Sequence, residues 1–272
     1  MTDLAVIMSV YRNDKLKFLK ESVQSILDQT YTRFHFYIIF DGPVSSEIDE
    51  FISSLNDNRI KLFRLERNGG LAKALNYLLE KVLKSPEYKL MARMDSDDIS
   101  MPYRFERQYS FLLMNPEISC VGCWYHEIDE SGKRLSYRKL PTEHEALKEL
   151  FYLRTPFAHP SVMYRRNLIE KAGFYPTDTV FMEDNVLWGK ALKAGLIFAN
   201  IPEFLFQFRI DENFFKRRSG IRYGWNFIIT RFKINKSLKF PVYSYIFSFL
   251  IGVIKMMPLF LLRYIYMAAR RY

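Results

Sequence analysis

The stretch Tyr88-Lys89-Leu90-Met91-Ala92-Arg93-Met94-Asp95-Ser96-Asp97-Asp98 decides how the rest of the chain is read. Its first seven residues form an apolar run of strand length, and the next four carry three carboxylates into a loop ahead of Pro102. Three carboxylates at a strand end are not packing material. Residues two apart on a strand share a side, so the spacing predicts that Asp95 and Asp97 point at one object. That object is strongly positive. A hard divalent cation, Mn²⁺ or Mg²⁺, takes carboxylate oxygens and completes its shell with phosphate oxygens and water. The competing reading is a solvated acidic loop capping the helix that Pro102 begins.

The residues on either side separate the two readings. Short apolar runs, Leu4 to Val10, Phe36 to Phe40 and Ile60 to Leu65, alternate with amphipathic stretches, Lys15 to Gln29, Glu47 to Leu55 and Leu71 to Leu83. In the first amphipathic stretch Leu16, Leu19, Val23, Ile26 and Leu27 share one helical face. A repeated strand-helix unit predicts an α/β fold with a mostly parallel sheet flanked by helices on both faces. Ligands in such sheets sit outside the carboxyl ends of the strands. Ser9 and Tyr11, Asp41, Arg67-Asn68-Gly69-Gly70 and Asp95 to Asp98 follow the four strands in turn. Four strand ends bearing polar groups or glycines predict a nucleotide-type site.

Further along, a helix is expected from Pro102 to about Asn115, a strand from Ile118 to Trp124, and a hairpin through Asp129-Glu130-Ser131-Gly132 to Lys139. A helix near Glu143 to Tyr152 precedes His159-Pro160-Ser161. Phe181-Met182-Glu183-Asp184-Asn185-Val186-Leu187-Trp188 then opens a helix to Lys193. Taken alone, Asp184 reads as a helix cap. Trp188, Phe204, Phe206 and Phe208 read as core. Cys120 and Cys123 lie in a strand-like run without the four ligands a structural zinc needs, even with His126 nearby, so both are expected as reduced core thiols.

The chain has 272 residues, 49% hydrophobic and 17% aromatic, with a net charge of +10. That excess is local. Residues 216–272 hold 12 of the 40 Lys and Arg and no Asp or Glu, leaving 28 basic against 30 acidic residues before them. The same segment contains Tyr243 to Ile254 and Met256 to Leu262, interrupted by Lys255 and Pro258. Neither piece reaches the roughly 20 apolar residues of a bilayer-spanning helix. Basic residues around an apolar face predict a helical segment lying in the interface of an anionic membrane surface, with a buried terminal hairpin as the alternative. The apolar content excludes a nucleic-acid groove. Met1-Thr2-Asp3-Leu4 leads directly into a strand pattern with no basic leader, so the expected location is cytoplasmic, peripheral to the inner face of the cell membrane.

With these residues in place, the chain resembles the family 2 inverting glycosyltransferases of GT-A (Rossmann-like) fold, in particular bacterial enzymes of surface-polysaccharide synthesis. The resemblance runs from about Leu4 to Arg218. It rests on Ile7-Met8-Ser9-Val10-Tyr11, Asp41-Gly42-Pro43, Asn68 to Asn76, Arg93 to Asp98, His159-Pro160-Ser161 and Glu183 to Trp188. It implies a catalytic domain over 1–215, with a nucleotide-sugar half to about 100 and an acceptor half beyond, and a membrane-associating tail over 216–272.

By that resemblance Ser9, Tyr11 and Asp41 line a base pocket, Asn68 and Lys73 lie beside the nucleotide, and Asp95 approaches ribose and metal. Asp97 would hold Mn²⁺ or Mg²⁺ on the diphosphate. Asp184, beside Glu183, would be the general base, and His159 an acceptor-side hydrogen-bonding residue. Phe40-Asp41 stands where many relatives have two Asp, which leaves the base contacts open. Arg217 and Arg218 suit a phosphate clamp or a membrane-facing charge. The implied reaction moves one sugar from a nucleotide-sugar donor, a UDP-sugar being commonest, to a lipid-linked (polyprenyl diphosphate) saccharide acceptor of O-antigen, capsule or exopolysaccharide.

Three rivals are weighed. A sugar nucleotidyltransferase would carry a glycine-rich loop where Ser9-Val10-Tyr11-Arg12-Asn13-Asp14 has no glycine. A processive synthase would carry Gln-x-x-Arg-Trp, absent around Gln207-Phe208-Arg209. A non-catalytic membrane adaptor on the same scaffold leaves Asp95, Asp97 and Asp184 without a purpose.

Overall fold

The structure is a computed structural model that describes residues 2–179, 181–211 and 213–268. Its first half is the expected alternation: β1 (Leu4–Val10), α1 (Leu16–Leu27), β2 (Phe34–Phe40), α2 (Ser46–Ser54), β3 (Ile60–Arg64), α3 (Leu71–Leu83) and β4 (Leu90–Arg93). These four strands pair in parallel in the order β3-β2-β1-β4. Both sheet faces are covered, and the pleat sorts the side chains between them. Leu4, Val6, Met8 and Val10 of β1 join one core with Leu19, Val23 and Ile26 of α1. Ala5 and Ile7 join the other with Ala74, Leu75, Leu78 and Val82 of α3. A strand buried on both faces has no polar alternation, which is why these runs are continuously apolar.

Beyond β4 the sheet becomes mixed. Short β5 (Ile99–Ser100) leads to α4 (Arg104–Met114), β6 (Ile118–Ile128), β7 (Arg134–Arg138) and α5 (His144–Leu150). A 3₁₀ turn at His159–Ser161, β8 (Met163–Arg165), α6 (Arg166–Ala172), α7 (Glu183–Lys193) and β9 (Ile197–Arg209) follow. β8 pairs antiparallel with both β4 and β6, and β9 runs parallel to β6 over almost its whole length. β5 pairs antiparallel with the far end of β9, Ile99 opposite Gln207 and Ser100 opposite Phe206. The chain is still extended at Met101, whose N–H donates to Leu205 O at 3.0 Å, so α4 starts at Arg104 and not at Pro102. Trp188 and Phe206 are fully buried, with Phe204 and Phe208 partly so. Cys120 and Cys123 are buried free thiols, and His126 stacks on Phe204 with ring centroids 4.3 Å apart.

The tail is helical: α8 (Asn213–Arg217), α9 (Ile221–Ser237), α10 (Val242–Met256) and α11 (Leu259–Ala268). The expected border at 215/216 falls inside α8. α9 also enters the main body, since Ile234 and Phe240 belong to the second core and Ile234 Cγ2 would lie 3.2 Å from a Cβ on Gly189. α9 and α10 form an antiparallel pair seamed by small residues. A Cβ on Gly224 would lie 2.6 Å from Gly252 O, and one on Gly252 2.2 Å from Ile228 Cγ1, so the backbones meet only because both are glycine. Ser244, Ser248 and Gly252 of α10 face that seam, and Asn235 Nδ2 donates to Ser248 Oγ at 3.1 Å. The opposite face is apolar and open: Val242, Ile246, Phe249 and Leu250 of α10, with Ile221, Trp225 and Ile229 of α9, are exposed. The buried-hairpin alternative therefore describes one face of the tail only. Among the described residues no helix is long and apolar enough to cross a membrane. Arg270, Arg271 and the Arg263 side chain, counted in the tail's charge, lie outside the described residues.

Candidate active site

Asp95 to Asp98 form a turn between β4 and β5, not a strand. Alternation therefore does not gather the carboxylates; the turn does. Ligand oxygens of Asp95, Asp97 and Asp98 all lie within 4.8 Å of one another. Among the described residues no other group of His, Cys, Asp or Glu side chains is arranged to hold a metal ion.

The turn is fixed at several points. Ser22 Oγ of α1 donates to Asp95 O at 2.7 Å, and Ser96 Oγ donates to Asp14 Oδ2 at 2.8 Å. The fully buried Arg93 guanidinium donates to Met94 O and to Asp95 Oδ1. From β9, Arg209 donates its backbone N–H to Asp98 Oδ1 and its Nε–H to Asp97 O, both at 2.7 Å. Its guanidinium continues to Glu21 and to the Asp129 and Glu130 carbonyls.

The electrostatics of this turn call for a cation. Burial, then Asp95, pushes Asp97 up to about 6, with Arg217 opposing. Asp98 is pushed well above the carboxylate range by burial and by Asp97 and Asp95. Asp14 is pushed up to about 7, mainly by burial. Several carboxylates at one spot resist ionising together unless a cation neutralises them. Asp98 Oδ2 is buried and, among the described residues, meets no hydrogen-bond donor. An all-oxygen set with one open acceptor suits Mn²⁺ or Mg²⁺. Asp98 thus joins the expected pair Asp95 and Asp97.

A cavity of about 430 Å³ opens beside the turn. Tyr11, Asp14, Asp97, Asp211 and Arg217 are among its lining residues. Arg217 Nη2 pairs with Asp211 Oδ1 at 3.1 Å, so α8 closes the cavity on one side. Ser9 is half-buried at the end of β1. Asp41 has a structural duty. Its Oδ1 accepts from Gly69 N at 2.7 Å and its Oδ2 from Gly70 N at 2.9 Å and Asn68 Nδ2 at 3.0 Å, which holds the loop at the N-terminus of α3. A Cβ on Gly42 (φ 82°) would stand 2.5 Å from Asn68 N, so Asp41-Gly42 and Asn68-Gly69-Gly70 are one interlocked device. Lys73 is exposed and lines a second cavity of about 590 Å³ with Arg67, Gly69, Asn76 and Tyr77, away from the three carboxylates.

On the other side of β4, Glu183 and Asp184 begin α7. Asp184 stands inside the first turn, since Met182 holds the cap position. Asp184 Oδ1 accepts from Asn185 N at 2.8 Å and from Asn185 Nδ2 at 3.0 Å. Glu183 is pushed up to about 7 by burial and then by Asp184. His159 Nε2 shares a 2.9 Å hydrogen bond with the Tyr175 hydroxyl, and burial followed by Arg93 lowers the ring to about 4, so it stays neutral near pH 7. The charges of Arg93 and Asp95 bear on both Glu183 and His159. Asn76 of α3 links the two halves of the fold: its Nδ2 donates to Tyr175 O at 2.8 Å and its Oδ1 accepts from Tyr175 N at 3.0 Å. Arg218 turns away from Arg217, its guanidinium 4.2 Å from the Phe214 ring centroid.

Sequence reasoning did not single out Asp14, Arg93, Asp98, Tyr175 or Arg209. Asp98 and Arg93 lie inside the quoted motif, which gave a role to Asp95 and Asp97 alone. Asp14 lies three residues after Tyr11 and accepts its backbone N–H at 3.0 Å, a local turn signal. Arg209 gives none, because its partners lie 79 or more residues away.

Strand ends that carry an acidic turn, a neighbouring cavity and a paired carboxylate at the start of a helix can hold a cation-bound anion and present a base to it. The chain belongs to glycosyl transferase family 2, whose model matches residues 5–173. It is 31% identical over 265 residues, covering 96% of this chain and 94% of the other, to a UDP-Gal:alpha-D-GlcNAc-diphosphoundecaprenol beta-1,3-galactosyltransferase of Escherichia coli. It is 32% identical over 225 residues, 82% of this chain and 81% of the other, to the amylovoran biosynthesis glycosyltransferase AmsE of Erwinia amylovora. The mannosyltransferase PcManGT of Pyrobaculum calidifontis, solved with GDP-Man and Mn²⁺, shares the fold with a TM-score of 0.65 at 16% identity, over 99% of this chain and 81% of that one.

Proposed function

We propose that this glycosyltransferase moves one sugar from a nucleoside-diphosphate sugar, a UDP-sugar being the simplest choice, to a hydroxyl of a polyprenyl-diphosphate-linked saccharide. The product would feed a cell-surface polysaccharide such as an O-antigen, capsule or exopolysaccharide. The observation that carries this reading is the turn of Asp95, Asp97 and Asp98 beside a cavity at the strand ends, with the charge of Asp95 felt at Glu183, the neighbour of Asp184. The relatives' names support the acceptor class and the pathway type.

In this account the donor's diphosphate lies in the cavity that Asp97 and Arg217 line. Asp95, Asp97 and Asp98 would hold Mn²⁺ or Mg²⁺, which when bound would supply Lewis-acid neutralisation of the leaving diphosphate. Arg217, oriented by Asp211, offers a guanidinium to the phosphate oxygens. Tyr11 and Ser9 border the base, while Asp41 and Asn68 act by shaping the loop beside it. Asp184 takes the acceptor proton as the hydroxyl attacks the anomeric carbon. Glu183 in its protonated state relieves repulsion beside that carboxylate, and neutral His159 offers a hydrogen bond to the acceptor sugar. A single displacement of this kind inverts the anomeric configuration. The open apolar face of α9 and α10, in a segment without acidic residues, would rest in the anionic cytoplasmic leaflet and bring the site to its lipid-linked acceptor.

The test is Asp184→Asn, assayed for Mn²⁺-dependent UDP-sugar binding and for transfer, with the product's anomeric configuration read by NMR. Unchanged donor binding, transfer lowered by about 100-fold or more and an inverted product from the wild type are expected. Full transfer by the variant removes Asp184 as base, and a retained configuration removes the single displacement.

A further inference from the structure

Where the end of α10 meets the start of α9 stand two cations, Lys255 and Arg218, that pair with no carboxylate among the described residues. Lys255 occupies the last turn of α10, on the inner side with Gly252, and its Nζ stands 5.2 Å from the Tyr223 ring centroid and 5.1 Å from that of Phe227. Its backbone carbonyl accepts from Gly220 N at 2.8 Å, which fixes the end of α10 against the start of α9. Arg218 lies just before that start and, among the described residues, donates only to the Phe214 carbonyl, at 3.4 Å. The Tyr223 ring also meets that of Phe181, two residues before Glu183, with centroids 6.2 Å apart. Tyr223 therefore touches Lys255 on one hand and the segment leading into Glu183 and Asp184 on the other. No Asp or Glu occurs after Glu212, so the tail itself supplies no counter-charge.

A half-buried ammonium held on two aromatic rings, with a guanidinium beside it, is expensive to keep charged without an anion. Burial, and then Arg218, lower Lys255 to about 8. A dianion placed between the two would restore both charges and gain charge-assisted hydrogen bonds. Cation–π contact with Tyr223 and Phe227 stabilises the ammonium and fixes its position meanwhile.

We propose that Lys255 and Arg218 bind the diphosphate of the lipid-linked acceptor, with Tyr223 between this diphosphate site and Asp184. This rests on the acceptor class proposed above and names the part of the chain that recognises it. The placement orders the acceptor correctly. Its lipid leaves along the exposed face of α10, its diphosphate meets Lys255 and Arg218, and its first sugar points past Tyr223 toward Asp184. The donor's diphosphate belongs to Arg217 and the acidic turn, so two adjacent arginines serve two different phosphates.

The experiment uses the full chain with UDP and Mn²⁺ present and measures binding of farnesyl diphosphate, with farnesol as the uncharged control, in neutral detergent micelles. The wild type is expected to favour farnesyl diphosphate over farnesol. Lys255→Gln and Arg218→Gln should each weaken farnesyl diphosphate about tenfold or more, and Lys255→Arg should restore part of it. Farnesol affinity, UDP affinity and melting temperature should stay at wild-type values. Equal affinity for the two probes in the wild type, or undiminished diphosphate binding in both Gln variants, overturns the inference. So does a loss that appears in Asp97→Ala instead, because that places the probe in the donor site. Diphosphate binding that behaves as expected in a protein transferring sugar to no lipid-linked saccharide would overturn the proposed function and leave this site standing.

Discussion

Arg209 and Asp98 meet at 2.7 Å, backbone amide to carboxylate, across 111 residues of sequence. The contact ties the last residue of β9 to the turn that gathers three carboxylates, and the Arg209 side chain reaches through to Asp97 O and Glu21. The acidic turn is therefore held by the sheet and not by its own loop.

Replacing Arg209 with Met should disturb stability and metal binding together. The side chain is almost fully buried, and its loss leaves the Asp97 carbonyl and Glu21 without their donor. Removing one partner of a buried ion pair costs about 3–5 kcal/mol, and the half-exposed Glu21 brings the expectation to the lower end, about 3 kcal/mol. Urea unfolding and Mn²⁺ titration of the same sample check this. Unchanged Mn²⁺ affinity in a folded variant would show that the turn holds itself.

Glu183 gives a pH signature whose sign is fixed. Its folded pKa of about 7 lies above the ordinary 4.5, so the native state keeps a proton that the unfolded chain releases. Its contribution is full below pH 4.5 and is lost as pH rises through 7. Glu183→Gln removes that dependence. The variant's melting temperature should gain on the wild type between pH 5 and pH 8.5, measured without metal. A difference that stays constant over this range would mean that Glu183 ionises as freely in the folded protein as in the unfolded one.

The outer face of α10 should govern membrane binding and little else. Ile246 and Leu250 are about half exposed, one turn apart, on the side away from the glycine seam. Ile246→Glu with Leu250→Glu removes apolar area and adds two charges repelled by anionic lipid, where each charge counts for about 1 kcal/mol. Co-sedimentation with phosphatidylglycerol vesicles should fall by about tenfold or more, at an unchanged melting temperature. Equal sedimentation would place the membrane contact elsewhere.

The parallel half of this fold is legible in the sequence because its strands are buried on both faces and its helices are amphipathic. β1, α1, α3 and β4 follow directly from Leu4 to Val10, the Leu16-Leu19-Val23 face, Leu71 to Leu83 and the run before Asp95. The mixed half resists for physical reasons. β5 has two residues and β8 three, too few for any period, and β9 contains Pro202 and pairs with β6 through register shifts. Asp41 is visible as a polar strand end, yet its partners Gly69 and Gly70 emerge only when the third strand's loop folds back. In the tail, composition shows a basic and apolar segment, but not that Ile234 enters the core while Trp225 and Ile229 stay outside.

The most direct test of the central claim is a thermal-shift titration of nucleoside diphosphates and nucleotide sugars, with and without Mn²⁺, on the wild type and on Asp97→Ala. A ligand that binds the native state at 100 times its Kd stabilises it by about 2.7 kcal/mol. The account predicts stabilisation by one nucleotide family, dependent on Mn²⁺ and absent in Asp97→Ala. Stabilisation that persists without metal, or equally in Asp97→Ala, would contradict a donor site built on the Asp95, Asp97 and Asp98 turn.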